Sequence, residues 1–355
     1  MQLADRGGGC MPRHVGILTG GGDAPGLNAV IRAVVKYGVG QQSWTLTGIE
    51  DAFDGLIARP MRLQSLVPRS CGGLLQKGGT MLGTTNRGDP FAWKDGNNHA
   101  HDVKVELDRL GIEGLIVIGG DGTMRIADRM MREEGVPVIG VPKTIDNDLG
   151  ATDQTFGFQS AVDCVADALD RLHTTAESHD RVIILEVMGR DAGFIALHGG
   201  IAGGADVILL PELPWSLARI QAKLAQRRSI GRRFSLIVVS ESAHPIGTHG
   251  SGGRAGQLVV DALKQADPEL DTRLTVLGHL QRGGSPNAVD RVLATRFGCT
   301  AVDLVEAGRW GEMVALQNGR VIGVPLAEAV RSNRVVDLAG ELVATARAVG
   351  VELGG

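Results

Sequence analysis

The sequence predicts an α/β fold of two three-layer domains on mostly parallel sheets, and three observations carry that expectation. Short, continuously apolar, β-branched runs alternate with helical patterns, as strands buried on both faces require. Glycine turns follow these runs, and the chain holds 52 glycines against 3% aromatic residues, which favours tight strand-to-helix connections over stacking surfaces. At 355 residues the chain exceeds a single core, so two domains of about 150 residues each are expected.

The elements follow in order. Residues 1–13, MQLADRGGGCMPR, are polar and glycine-rich and are expected to form a disordered tail, with Met11 a second candidate start. VGIL at 15–18 is the first strand; TGGGDAPGLN follows it and leads into the helical pattern AVIRAVVKYG. RGDPFAWKDGNNHAHD at 87–102 has turn chemistry without periodicity, so it is expected as a surface excursion bordering the ligand site. LIVI at 115–118 precedes GGDGT and the helical pattern MRIADRMMREEG. VPVIGV at 136–141 runs into PKTIDND, and VIILEV at 182–187 and SLIVVS at 235–240 complete the strands read from the pattern. Ligands of such sheets bind beyond the carboxyl ends of the strands, so function is expected in the turns.

Composition narrows the partners. A net charge of −4 excludes a generally basic surface that would hold nucleic acid or anionic membrane. The four cysteines stand far apart with no CxxC pair, which signals neither a zinc site nor a disulfide framework and fits a reducing cytosol. No apolar run approaches the roughly 20 residues that span a bilayer, and the first residues lack the apolar core of a signal peptide. A cytoplasmic protein is expected.

Three turns carry chemistry. Gly20-Gly21-Gly22-Asp23, between a strand and a helix, is placed to offer backbone amides and a helix N-terminus to an anion, although a tight connection alone would also account for it. Gly119-Gly120-Asp121-Gly122-Thr123 repeats the arrangement. Asp121 can hold Mg²⁺ there and Gly122 leaves room beside phosphates, against the plain alternative of an Asp-Gly turn. In Lys143-Thr144-Ile145-Asp146-Asn147-Asp148 two carboxylates stand two residues apart, and they repel unless a cation or a proton transfer employs them; a solvated acidic turn is the alternative.

The segments GGDAPGLN, GGDGT, PKTIDND, MGRDAG, IAGGAD and GHLQRGGSP occur in the order and approximate spacing of the 6-phosphofructokinase family, which the chain resembles from about residue 14 to about 300. The resemblance implies a magnesium-dependent kinase that passes the γ-phosphoryl group of ATP to the 1-hydroxyl of fructose 6-phosphate. It makes Asp146 the general base, gives Thr144 and Asp148 to sugar positioning and metal support, and makes Asp121 the magnesium ligand. It assigns Gly22, Arg87, Gly120, Gly122, Thr123 and Lys143 to the phosphate donor. Met188, Gly189 and Arg190 match a sugar-contacting segment, with Arg190 also facing the transferred group, and Glu241 matches an acceptor for sugar hydroxyls. His279 and Arg282 match ligands of the 6-phosphate from the subunit's own side, and Arg181 and Arg273 match residues that reach it from a neighbouring subunit. Outside the joint pattern each arginine would be a solvated charge and His279 a structural histidine.

Shared arginines imply a homo-oligomer, expected as a tetramer. The implied division is a donor domain of residues 14–157 with 281–331 and a sugar-phosphate domain of 158–280 with 332–355. The donor signature is mixed. Gly122 goes with ATP, since an aspartate there would fill the space of the α-phosphate, whereas Lys143 is a feature of pyrophosphate users; exclusion outweighs added attraction, so ATP is expected and pyrophosphate is the alternative. Ile126 replaces a small residue of ATP-using members, Asn86-Arg87 displaces an expected arginine by one, and Phe53 is a candidate adenine neighbour. Arg32 and Asp206 match positions that bind an effector nucleotide in allosteric members, with Lys36 where a second arginine is common.

Overall fold

The computed structural model describes residues 12–250 and 253–355. Of the expected tail, residues 1–11 lie outside the described residues. Arg13 is not tail-like: its guanidinium lies 3.2 Å from Glu113 and 3.5 Å from Glu306, and its carbonyl accepts the Thr45 amide.

Among the described residues eleven strands form, β1 His14–Thr19, β2 Thr45–Ile49, β3 Leu63–Ser65, β4 Gly114–Gly119, β5 Val138–Pro142, β6 Val182–Val187, β7 Val207–Leu209, β8 Ser235–Ser240, β9 Thr272–Val276, β10 Glu312–Gln317 and β11 Arg320–Pro325. They make a seven-stranded sheet ordered β11-β10-β5-β4-β1-β2-β3 and a four-stranded sheet ordered β7-β8-β6-β9. The smaller sheet is wholly parallel; in the larger one only the edge strands β3 and β11 run antiparallel to their neighbours.

The period-2 alternation of buried strands assigns side chains to faces. Val15 and Ile17 of β1, with Ile116 and Ile118 of β4, pack beneath helices Leu27–Val34 and Ala288–Glu306, while Leu18, Leu115 and Val117 pack on the other face with helices Ala100–Arg109 and Asp121–Glu134. In the smaller sheet Ile183, Leu185 and Val187 face helix Phe158–His179, and Val182 and Ile184 face helices Leu217–Ser229 and Ala255–Ala266. Both faces of both sheets are thus covered, which is why these strands are mostly apolar; Glu186 in β6 departs from this, its carboxylate accepting the Gly256 amide at 2.7 Å.

Two expected elements differ. The strand expected from 136 begins at Val138, because Pro137 has no amide to give the ladder, though its carbonyl accepts from Leu115. Residues 87–102 are more than an excursion: Pro90–Ala92 is a 3₁₀ turn, Trp93 Nε1 donates to the buried Asp54 carboxylate at 2.9 Å, and helix begins at Ala100.

Register places the turns. Thr19 of β1 pairs with Ile118 of β4, and Gly119 with Pro142 of β5, so the three phosphate-type turns leave the sheet side by side. In the smaller sheet Val187 pairs with Ser240, setting Met188–Arg190 beside Glu241. Among the described residues no helix is long and apolar enough to cross a membrane.

Candidate active site

The ends of β1, β4, β5, β6 and β8 border one cleft of about 470 Å³. The first turn leaves β1 through Gly20, whose amide donates to the Ile118 carbonyl (2.9 Å), and Gly21, whose amide donates to Thr85 (3.0 Å). Those two amides are consumed inside the fold, so the anion-facing part of this turn starts at Gly22. Gly26 closes it at φ 110°, a left-handed value, and a β-carbon there would stand 2.7 Å from the Phe156 ring; only glycine fits.

The second turn starts helix Asp121–Glu134 directly at the cleft. Asp121, Gly122 and Thr123 occupy its first positions, where helix amides lack intrahelical acceptors and the dipole favours negative charge. A β-carbon at Gly122 would meet nothing within 4 Å, so this side of the cleft is open. The Asp121 carboxylate receives Arg125 Nε at 2.9 and 3.1 Å.

The third turn, 143–148, is held from beneath. The Lys143 amide donates to Gly119 (2.8 Å), Thr155 Oγ1 donates to the Thr144 carbonyl (2.7 Å), and the Asn147 side-chain oxygen accepts the Thr155 amide (2.9 Å). Asn147 sits at φ 54°, a conformation asparagine tolerates, and the reversal leaves Asp146 and Asp148 on the cleft. The Asp146 amide is tied to Thr144 Oγ1 at 3.0 Å, whereas Asp146 Oδ1 is buried with no hydrogen-bond partner.

Burial dominates the electrostatics. It raises the Asp146 pKa, with Glu241 and Asp191 adding repulsion and Arg282 and Lys143 opposing it. Asp148 is pushed up to about 6, first by burial and then by Asp146. Lys143 is buried and drawn down to about 8 by desolvation and by the Arg282 charge. Burial also raises Glu241, with Arg282 and His279 acting against it. Crowded, partly desolvated carboxylates beside an open helix N-terminus suit a cation that arrives with an anion. Among the described residues no group of three or more His, Cys, Asp or Glu is arranged as a metal site. The oxygen-only donors fit Mg²⁺, which is held by one or two carboxylates and takes the rest of its shell from phosphates and water.

A family model for phosphofructokinase matches residues 14–305. The chain belongs to the phosphofructokinase family. An ATP-dependent 6-phosphofructokinase of Chloroflexus aurantiacus is 48% identical, with 96% of this chain and 98% of that protein covered. The ATP-dependent 6-phosphofructokinase 1 of Synechocystis is 44% identical at the same coverage. The crystal structure of Pichia pastoris phosphofructokinase in the T-state superposes with a TM-score of 0.81 at 32% identity; the match spans 90% of this chain and 35% of the Pichia chain, which is much longer.

Within this phosphofructokinase fold the cleft brings together Gly22, Gly120, Asp121, Gly122, Thr123, Lys143, Thr144, Asp146, Asp148, Met188, Arg190, Glu241 and Arg282 of the expected set. Gly189 contributes through its backbone: at φ 132°, with its carbonyl accepting Ser240 Oγ at 2.7 Å, it turns the chain so that both neighbours line the cleft. Arg87 does not line it; the exposed Arg87 is preceded by Asn86, which does. Exposed His279 lies on the 3₁₀ turn Gly278–Gln281 just before Arg282.

Arg181 and Arg273 stand apart. Both pair with Asp271, Arg181 Nε at 2.9 Å, where β6 and β9 begin. The cleft lies at the other end of β6, about 20 Å away for a six-residue strand. Asp206 is committed internally, 2.5 Å from Arg227 and accepting the Leu236 amide at 2.9 Å.

Sequence reasoning missed Asp191 and Asn333, which line the cleft; Asp89, which also lines it, falls in the 87–102 segment expected to border the ligand site. Asp191 was within reach, since it sits inside MGRDAG. Nothing local marks Asn333, which arrives from the far end of the chain.

Proposed function

We propose that this chain is an ATP-dependent 6-phosphofructokinase, moving the γ-phosphoryl group of ATP to the 1-hydroxyl of fructose 6-phosphate to give fructose 1,6-bisphosphate and ADP in glycolysis. The observation that carries the reading is Asp146: a carboxylate oxygen buried without a partner, in the cleft that both glycine turns enter. Such an oxygen is an acceptor waiting for a donor, and burial has moved its pKa in the direction a general base at neutral pH needs.

Asp146 takes the proton as the sugar oxygen bonds to the γ-phosphorus, and the bond from that phosphorus to the β,γ-bridging oxygen breaks. Thr144 and Asp148 orient the acceptor, Met188 and Gly189 border the sugar, Glu241 accepts from its hydroxyls, and Arg190 faces the transferred group. Gly22, Gly120, Gly122 and Thr123 receive the donor phosphates with Lys143, whose charge is spent on them. Asp121 would hold Mg²⁺, releasing Arg125, and the ion would neutralise charge developing on the phosphates. Arg87 serves the donor only after its side chain turns inward.

The donor is ATP because the space beside Gly122 is open and the similar proteins from Chloroflexus and Synechocystis carry that donor in their names. The sugar 6-phosphate meets His279 and Arg282 of the same chain and Arg181 and Arg273 of a neighbour, which makes the enzyme a homo-oligomer, a tetramer, with shared sites. Residues 14–157 with 281–331 form the donor side and 158–280 with 332–355 the sugar side, in a cytoplasmic protein. The purified chain tested with fructose 6-phosphate and either MgATP or pyrophosphate decides the matter. Turnover with ATP and none with pyrophosphate is expected, and brisk pyrophosphate turnover beside ATP inactivity overturns the donor.

A further inference from the structure

Residues 329–336 run from the core of the larger sheet, which includes Ala329, to the core of the smaller one, which includes Val336. On the way they press against the loop that carries Asp146. A β-carbon at Gly150 would stand 2.5 Å from the Ser332 carbonyl oxygen and 3.0 Å from that of Ala329, so backbone lies directly on backbone. The Arg334 amide donates to the Asp148 carbonyl at 2.7 Å, and Arg334 Nη1 donates to the carbonyls of Thr152 and Asp153, both at 2.7 Å.

The same residue touches the sugar side. Its guanidinium lies 5.3 Å from the centroid of the Phe194 ring, where the helix after the Met188–Gly193 segment begins. Two residues on, the Val336 amide donates to Glu212 Oε1 (2.8 Å), the oxygen that also accepts the Gly193 amide (2.9 Å). One residue back, Asn333 Oδ1 accepts Arg125 Nη2 at 3.3 Å, and Arg125 holds Asp121.

We propose that Arg334 is a positioning residue that fixes the loop bearing Asp146 and Asp148 against the sugar-binding segment. The proposal rests on the reading of Asp146 as general base. Arg334 Nη1 serves both carbonyls while the rest of the delocalised guanidinium reaches over the Phe194 ring, a span that the single-point ammonium of lysine does not reproduce. The glycine turn at 20–22 and the residues 279–282 are built on other elements, so losing Arg334 displaces the base while keeping most of the ground-state grip on the phosphates of both substrates.

The test uses the full chain with Arg334→Ala and Arg334→Lys. A base misplaced by about 1 Å lowers kcat about 10- to 100-fold, with both KM values within about threefold of wild type. Millimolar guanidinium is expected to restore part of the Arg334→Ala rate, where sodium chloride at equal ionic strength does not. Arg334→Lys, which keeps the charge and a donor for the carbonyls but gives up the reach over Phe194, should fold and still be several-fold slow. Hydrogen exchange of amides 146–155 should quicken in both variants.

A kcat within about twofold of wild type in the folded Lys variant, or a loss confined to KM, overturns the proposal. Should Arg334→Ala not fold, the Lys variant decides alone. Wild type that transfers no phosphoryl group defeats the functional reading instead, and unchanged exchange at 146–155 then defeats the loop-fixing role separately.

Discussion

Lys143 Nζ donates to the Gly22 carbonyl, so the base-bearing loop is tied to the first glycine turn at the place where donor phosphates are proposed to rest. The amine is buried and drawn down to about 8. In the free enzyme it therefore loses its charge as pH rises through about 8, and with it the attraction for an anionic donor. The expected outcome is a donor kcat/KM that falls above about pH 8. Lys143→Gly should lower donor kcat/KM and abolish that limb while leaving the sugar KM unchanged. Steady-state kinetics across the range checks this; a change confined to the sugar KM would mean the lysine serves the other substrate.

Asp146→Asn keeps shape and removes the base. Sugar-phosphate binding, measured by calorimetry, should stay nearly intact, and kcat should drop by about 10² or more. Near-normal turnover would leave the buried orphan oxygen without a catalytic meaning.

Asp148 sets activity against stability. Its folded pKa of about 6 lies above the ordinary carboxylate value of 3.8, so the native state binds more protons than the unfolded chain between those values. Its contribution to stability is present in full below about 3.8 and is lost as pH rises through about 6. At pH 7 the ionised, buried carboxylate is a liability on the order of 1–3 kcal/mol. Asp148→Asn should therefore melt higher than wild type at pH 7 without Mg²⁺, the gap closing toward pH 4, while turnover falls. An unchanged melting temperature at pH 7 would show that the unliganded cleft tolerates this charge at no expense.

What could be read from the chain divides along a physical line. VIILEV and SLIVVS became β6 and β8 residue for residue, because strands buried on both faces carry their signal in every position. TLTGI of β2 alternates threonine with apolar residues and breaks at Gly48, β7 has only three residues, and β11 lies at the sheet edge with β10 just inside it, each opening on a charged residue, so none rose above its surroundings. The cleft's turns were legible because each follows its strand immediately. The Arg181–Asp271–Arg273 cluster was not, since it depends on the register of β6 with β9, and neither was Arg334, whose partners lie in a loop distant in sequence.

That cluster supplies the remaining prediction. Arg181 and Arg273 share Asp271 at the start of β6, a strand's length from the cleft of their own chain, so in the proposed assembly they serve a neighbour's sugar phosphate. Arg273→Ala leaves a chain with a sound base and one of its two lent arginines missing; Asp146→Asn leaves a chain with sound arginines and no base. Each should be nearly inactive alone. Dissociated, mixed and reassembled, they form hybrids in which an Arg273→Ala cleft receives its arginines from an Asp146→Asn neighbour, and activity should exceed the sum of the two parents. Diluting wild type until light scattering reports monomers should extinguish turnover for the same reason. Hybrids detected by native mass spectrometry but no more active than their parents would mean each chain completes its own site, and the arginines at Asp271 would then be structural.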